Sequence, residues 1–262
     1  MSQQPGDDDD DLRCILEDEC DDWIEDAEVV PPPALAPAHP VKANGVLAAT
    51  YNRIGGALEQ VASVYGVDVA CALAVWKTES GPTVHAPGHA VIRFENHRLW
   101  KLWGRAHNDA FVAHFQFGDP IWKGHEFRAN EDSEWMLSHT AGPSGQRVEY
   151  AALAKAIELA GEDIALRCIS IGGPQILCSN FALLGYASPA EMYADFQRTE
   201  DVHVRGFFKF CEAKKIIGAM KSKDWAAFAR VYNGPGQVDA YGAKIAAAYA
   251  EARTMLSKAV IA

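Results

Sequence analysis

The stretch VDVACALAVWKTESG, residues 67–81, decides the fold. Its apolar residues Val69, Ala72, Leu73 and Trp76 fall three or four apart, which puts them on one face of a helix. Asp68 stands where an N-cap is wanted, and Ser80-Gly81 supplies the stop. Glu79 lies three residues beyond Trp76 and seven beyond Ala72, on that same apolar face. A carboxyl held there loses water, which favours its protonated form closer to neutral pH. Such a group suits general acid catalysis, in which it gives a proton to a leaving oxygen. The competing reading is a helix-end glutamate that is solvated, or paired with Lys77 or Arg93.

The helical pattern continues on both sides. GVLAATYNRIGGALEQVASVYG has apolar residues at helical spacing and stops at Gly66. Downstream, EYAALAKAIELAG reads as a helix, as do KDWAAFARVY and DAYGAKIAAAYAEARTMLSKAV. SPAEMYADFQRTEDVHVRGFFKFCEAKK opens on Ser188-Pro189-x-Glu191, a capping box with Pro at the first helical position. Residues 90–147 are rich in Gly, His and aromatics, with short strand-like pieces and the loop HTAGPSGQR. The expected fold is mainly α, with a small irregular or β lobe near 81–147.

Composition narrows the function classes. Of 35 acids and 24 bases in 262 residues, residues 1–28 hold thirteen acids and one base. The remainder has 22 acids and 23 bases, so the body is nearly neutral and shows no basic stripe for a nucleic acid. No run reaches 18 consecutive apolar residues, so stable membrane insertion is not expected. The N-terminus lacks the charged and apolar regions of a signal peptide, which predicts synthesis in a cytoplasm. Residues 1–43, an acidic segment and the linker VVPPPALAPAHPV, read as a disordered tail before a domain at 44–262. The tail's Leu12, Ile15, Leu16, Trp23 and Ile24 offer a face to a partner; the alternative is plain solubilisation. The six cysteines have no CxxC pair, and reduced structural thiols are expected.

Further pieces bear on Glu79. In RFENH, Glu95 interrupts an apolar strand-like run. Glycoside hydrolysis uses a second carboxylate, roughly 5 Å away as a nucleophile or roughly 6.5–9.5 Å away to activate water. Asp109, Asp119 and Glu126 compete with Glu95 for that role, and Glu95 also reads as a solvated strand-end acid. In CISIGGPQILCSNF, Gly172-Gly173-Pro174 allows close backbone approach, while Gln175 and Asn180 offer amides to a sugar. In ARVYNGPGQ, Tyr232 and Asn233 end a helix before the turn Gly234-Pro235-Gly236. His85-x3-His89 invites a zinc reading, but the Pro and Gly of HAPGH argue against one helix face, and HExxH is missing.

The ordered set VDVACALAVWKTESG, RFENH, SIGGPQILCSNF, TEDVHV (199–204), FFKF (207–210) and DWAAFARVYNGP (224–235) resembles the N-acetylmuramidase domain of phage endolysins, within the lysozyme-like superfamily. The resemblance spans roughly 50–258. It implies a lysozyme-like helical fold and hydrolysis of the β-1,4 bond between N-acetylmuramic acid and N-acetylglucosamine. Glu79 then matches the catalytic acid and Glu95 the second family glutamate. Gln175, Tyr232 and Asn233 match motif positions near the acid, with Asn180 beside them. No metal or organic cofactor is implied. The implied partner is the glycan strand of peptidoglycan, met by a monomer at the periplasmic wall. Ile171 stands where the family has tryptophan, Leu177-Cys178 where it has Met-Gly, and His203 where it has glutamine. Two other readings remain: a lytic transglycosylase leaving 1,6-anhydro ends, and a non-catalytic wall-binding or virion protein with the same fold.

Overall fold

Helix α1 (Val46–Tyr65) ends at Gly66, whose φ of 64° is the left-handed geometry that glycine accepts without penalty. Helix α2 (Val69–Glu79) starts at once, its N-cap Asp68 accepting from the Cys71 amide at 2.7 Å. Of the eleven residues of α2, only Val69 and Lys77 are not buried. An isolated helix this short is marginal in water, whereas each buried Leu- or Trp-sized side chain contributes about 1.5–3 kcal/mol. Packing, not propensity, therefore holds α2.

The computed structural model describes residues 36–37, 39–80, 85–86 and 89–259. The acidic segment and most of the Pro/Ala linker lie outside them. The linker's described end packs onto α1: Pro37 and Val41 are buried, and the Asn52 side chain brackets the Val41 backbone at 2.8 and 2.9 Å. Packing thus reaches several residues N-terminal of position 44.

After α2 come β1 (His85–Ala86), β2 (His89–Ala90), β3 (Ile92–Phe94), α3 (Asn96–Leu102) and α4 (Asn108–Val112). Next are β4 (Phe115–Gln116), β5 (Glu126–Phe127), β6 (Met136–Leu137), α5 (Gly142–Ala160) and α6 (Glu162–Leu166). The chain continues through β7 (Ile169–Ile171), β8 (Ile176–Leu177), α7 (Pro189–Phe196), α8 (Glu200–Ala213) and α9 (Ile217–Ser222). It closes with α10 (Trp225–Tyr232) and α11 (Val238–Ala259). The mainly α expectation holds. The lobe, however, mixes short helices with its strands, and α5 begins inside the expected loop, with Pro143 in its first turn. The helix expected from Ser188 onward is two helices, α7 and α8, broken at 197–199.

Two cores result. One joins α1, α2, α8, α10 and α11 through Ile54, Trp76, Phe207, Phe228 and Ile245. The other joins the small sheets to α5 and α7 through Phe94, Phe115, Phe127, Ile169 and Phe196. Tyr232 packs against both. Among the described residues no single helix is long and apolar enough to cross a membrane; α1 and α2 pass only as a pair bent by 117°. The thiols of Cys71, Cys168, Cys178 and Cys211 are free and buried.

Antiparallel strands β3, β7 and β8 pair in that order, with Ile92 opposite Ile171 and Phe94 opposite Ile169. The outer edge of β3 would expose unpaired amides, and α5 covers it. Gln146 exchanges two 2.9 Å bonds with the Ile92 backbone. Glu149, 1% exposed, accepts from Phe94 N at 2.7 Å and His139 N at 2.6 Å. Glu149→Ala leaves both amides without an acceptor and should lower the unfolding free energy by about 2–5 kcal/mol, measured by urea denaturation. A loss below about 1 kcal/mol would show that the edge does not depend on this side chain.

Candidate active site

Glu79 is the last residue of α2 and only 5% exposed. Its Oε2 accepts from Asn233 Nδ2 at 2.9 Å. Asn233 is itself buried, at the C-terminus of α10, and its own N–H caps the helix on Ala229 O at 2.7 Å. The chain leaves Asn233 through Gly234 at φ 81°. Burial pushes the Cys211 thiol of α8 well above its usual range, and the charge of Glu79 adds to the effect. The carboxylate is therefore set into the wall of the helical core.

Tyr232, one residue earlier, ties this corner to the sheet. Its ring packs against Phe207, Phe210 and Phe228 at centroid distances of 5.4, 5.9 and 5.5 Å. Its hydroxyl donates to Pro174 O at 3.3 Å. Pro174 lies in the turn 172–175 between β7 and β8. The turn, Tyr232, Asn233 and Glu79 are thus joined by direct contacts.

Gln175 has φ 50°, unusual for a residue with a side chain. Its amide holds that geometry: Oε1 accepts from Ser170 Oγ at 2.9 Å, and Nε2 donates to Gly172 O at 2.7 Å and Val91 O at 3.4 Å. At 6% exposure Gln175 shapes the turn from within. Gly172 has φ 75°, and a Cβ there would come within 2.9 Å of the His203 ring. That ring lies between His85 and Phe196, at 4.7 and 5.1 Å, and its Nε2 sits 2.7 Å from Phe196 O. His203, in the place of the family glutamine, is thus a packing partner of the glycine turn.

Glu95 follows β3 and precedes α3, with its N–H on Cys168 O at 2.8 Å. Strand alternation puts it on the sheet face of Arg93, which pairs with Ser170, the residue that holds Gln175. Its carboxylate stands 3.5 Å from His97 Nδ1 and 3.7 Å from His125 Nδ1. Asn180 is half-buried on the 3-10 helix Cys178–Leu184, and among the described residues no hydrogen bond joins it to Glu79. Of the competing acids, Asp109 and Asp119 are exposed, and Glu126 accepts from Gln116. His85 and His89 face different rings, His203 and Tyr150, and do not converge as a zinc pair. Ile171 is buried in the sheet core, so its replacement of a tryptophan alters packing there.

The sequence reading missed the grouping of Glu95 with His97, His125 and His139. RFENH alone gave a signal, since it places His97 beside Glu95; the other two histidines come from turns whose approach no periodicity announces. Burial drives all of these imidazoles toward the neutral form: His97 to about 4 and His139 to about 2, with His125 also lowered. His203 falls to about 3 for the same reason, and burial raises Glu149 to about 7.

A family model described as N-acetylmuramidase matches residues 68–253. Among solved structures, the crystal structure of the Burkholderia AP3 phage endolysin is similar, with a TM-score of 0.59 and 25% identity. That match covers 77% of this chain and 70% of the endolysin chain. No curated protein matches.

The shifts oppose one another in their effect on stability. Each lowered histidine contributes stability that is present above its unfolded value near 6.5 and is lost as pH falls toward the folded value. Glu149 acts the other way: its contribution is present below about 4.5 and is lost as pH rises through about 7. Between pH 7 and pH 5 each of His97, His139 and His203 removes roughly 2 kcal/mol, and Glu149 returns roughly 2. The histidines outnumber it, so Tm should fall on acidification through this window, and His203→Gln should flatten the fall. A Tm that rises from pH 7 to pH 5 would put Glu149 in control instead.

Proposed function

Because the chain belongs to the N-acetylmuramidase family, and so is a peptidoglycan-lytic enzyme, we propose that it hydrolyses the β-1,4 bond between N-acetylmuramic acid and N-acetylglucosamine, with Glu79 as general acid. The observation that carries this reading is the buried Glu79 carboxyl, held by Asn233 beside the turn that Tyr232 supports. In its protonated form Glu79 gives its proton to the glycosidic oxygen as the C–O bond breaks, and the Asn233 amide then stabilises the carboxylate left behind. Glu95 serves as the second carboxylate, activating the attacking water from the sheet face it shares with Arg93 and Ser170. The turn 172–175 offers its backbone to the sugar, and Gln175 fixes its shape from within. The substrate is the glycan strand, so the enzyme acts at the periplasmic wall after synthesis in the cytoplasm.

One observation favours a second reading. The Glu95 carboxylate keeps company with His97 and His125, which suits a reaction run by Glu79 alone. A lytic transglycosylase would use Glu79 as acid and then base, closing a 1,6-anhydro ring with the substrate's own hydroxyl. Mass spectrometry of digested sacculi separates the two. The proposal expects reducing-end muropeptides, and a drop of about a hundredfold in their formation by Glu95→Gln. Anhydro ends, or full activity of Glu95→Gln, would assign the reaction to Glu79 alone.

A further inference from the structure

We propose that Glu95, His125 and His139 form a binding site for a first-row divalent transition-metal ion, with zinc the ion their donor set fits. The proposal is independent of whether Glu95 also acts in catalysis. One donor atom from each residue can be chosen so that all three lie within 4.8 Å of one another. The donors come from three separate segments: the start of α3, the approach to β5, and the exit from β6.

The hydrogen bonds around the site fix which nitrogen of each ring carries the proton. His125 Nε2 lies 2.8 Å from Ile121 O, and His139 Nε2 lies 3.0 Å from Phe94 O. A carbonyl only accepts, so both rings carry their proton on Nε2 and present the Nδ1 lone pair. Histidines that bind metals are oriented in this way, with the second N–H given to a backbone carbonyl. The His125 side chain is fully buried, and its Nδ1 has no hydrogen-bond partner. That nitrogen stands 3.7 Å from Glu95 Oε2. A buried acceptor set against a carboxylate, which also only accepts, is unfavourable unless a cation lies between them. Protonation of the ring is the other remedy, and burial opposes it.

The donor chemistry selects the ion. Calcium and magnesium want oxygen ligands throughout, whereas two imidazoles and a carboxylate suit zinc and its neighbours. Zinc bonds of 2.0–2.1 Å place tetrahedral ligands about 3.3 Å apart, so the group must contract by roughly an ångström. His97 Nδ1, 3.5 Å from Glu95 Oε2 and also lacking a hydrogen-bond partner, stands ready as a fourth donor. A bound ion would clip the β4–β5–β6 lobe to the end of β3 beside the site.

The test uses the full chain stripped with EDTA and freed of chelator. Titration with Zn²⁺ at pH 7.5 should show one equivalent bound with a Kd below about 1 μM, and Tm should rise by several degrees. X-ray absorption of the zinc-loaded wild type should fit nitrogen and oxygen neighbours with two imidazoles, or three where His97 supplies the fourth donor. His125→Gln and His139→Gln should each weaken binding at least tenfold, whereas His85→Gln should bind as wild type does. Should the buried His125 variant fail to fold, the His139 variant and the wild-type absorption spectrum decide. A wild-type Kd above about 100 μM, sulfur in the first shell, or unchanged binding by His139→Gln would each overturn the proposal.

Discussion

A carboxylate taken out of water needs a hydrogen-bond donor, and the Asn233 side chain donates to Glu79. Much of the architecture follows from that one bond. The amide must arrive at the end of α2, so α10 must stop at that level, which Asn233 achieves by capping the helix and Gly234 by turning the chain. Helix α10 must also be fixed in azimuth. Tyr232 does this through three phenylalanine rings on one side and the Pro174 carbonyl on the other. Because Tyr232 belongs to both cores, the position of Glu79 is coupled to the packing of the sheet.

The sheet side has its own chain of dependence. The turn after β7 needs left-handed geometry at Gly172 and again at Gln175, a non-glycine residue that its own side-chain amide holds in place. The His203 ring lies where any side chain at position 172 would go. The motif around Gly172 and the motif around His203 are therefore two halves of one contact. Glu200, in the same motif as His203, anchors α8 to α1 through both of its oxygens on Arg53, at 2.7 and 2.9 Å.

How much of this the sequence announces depends on the range of the interaction. Caps are local and legible: Asp68 caps α2, and Ser188 accepts from Glu191 N at 3.1 Å while Glu191 reaches back to Ala187 N at 2.7 Å. The apolar face carrying Glu79 is legible too, although α2 proves to be buried on nearly all sides. The lobe is not. Its strands are two residues long, and it is held by single side chains crossing the chain, as when Asn96 Nδ2 donates to both Gln116 O and Glu126 O at 2.8 Å. No periodicity encodes such a bond. Gln175 read as a sugar ligand because its amide is visible in sequence, whereas the Ser170, Gly172 and Val91 groups that occupy it emerge only on folding. Ile171, which stands where the family has tryptophan, is likewise assigned only by folding, since strand register sends it to the core.

The proposed chemistry has Glu79 as the group that protonates the leaving oxygen. Glu79→Gln keeps the side chain's shape and an oxygen to accept from Asn233, and removes only the acid. The decisive measurement is the rate of muropeptide release from purified sacculi by this variant, with Tm and sacculus binding followed in parallel. A loss of about a thousandfold or more in release is expected, with Tm and binding close to wild type. Release within tenfold of wild type would contradict the proposed chemistry.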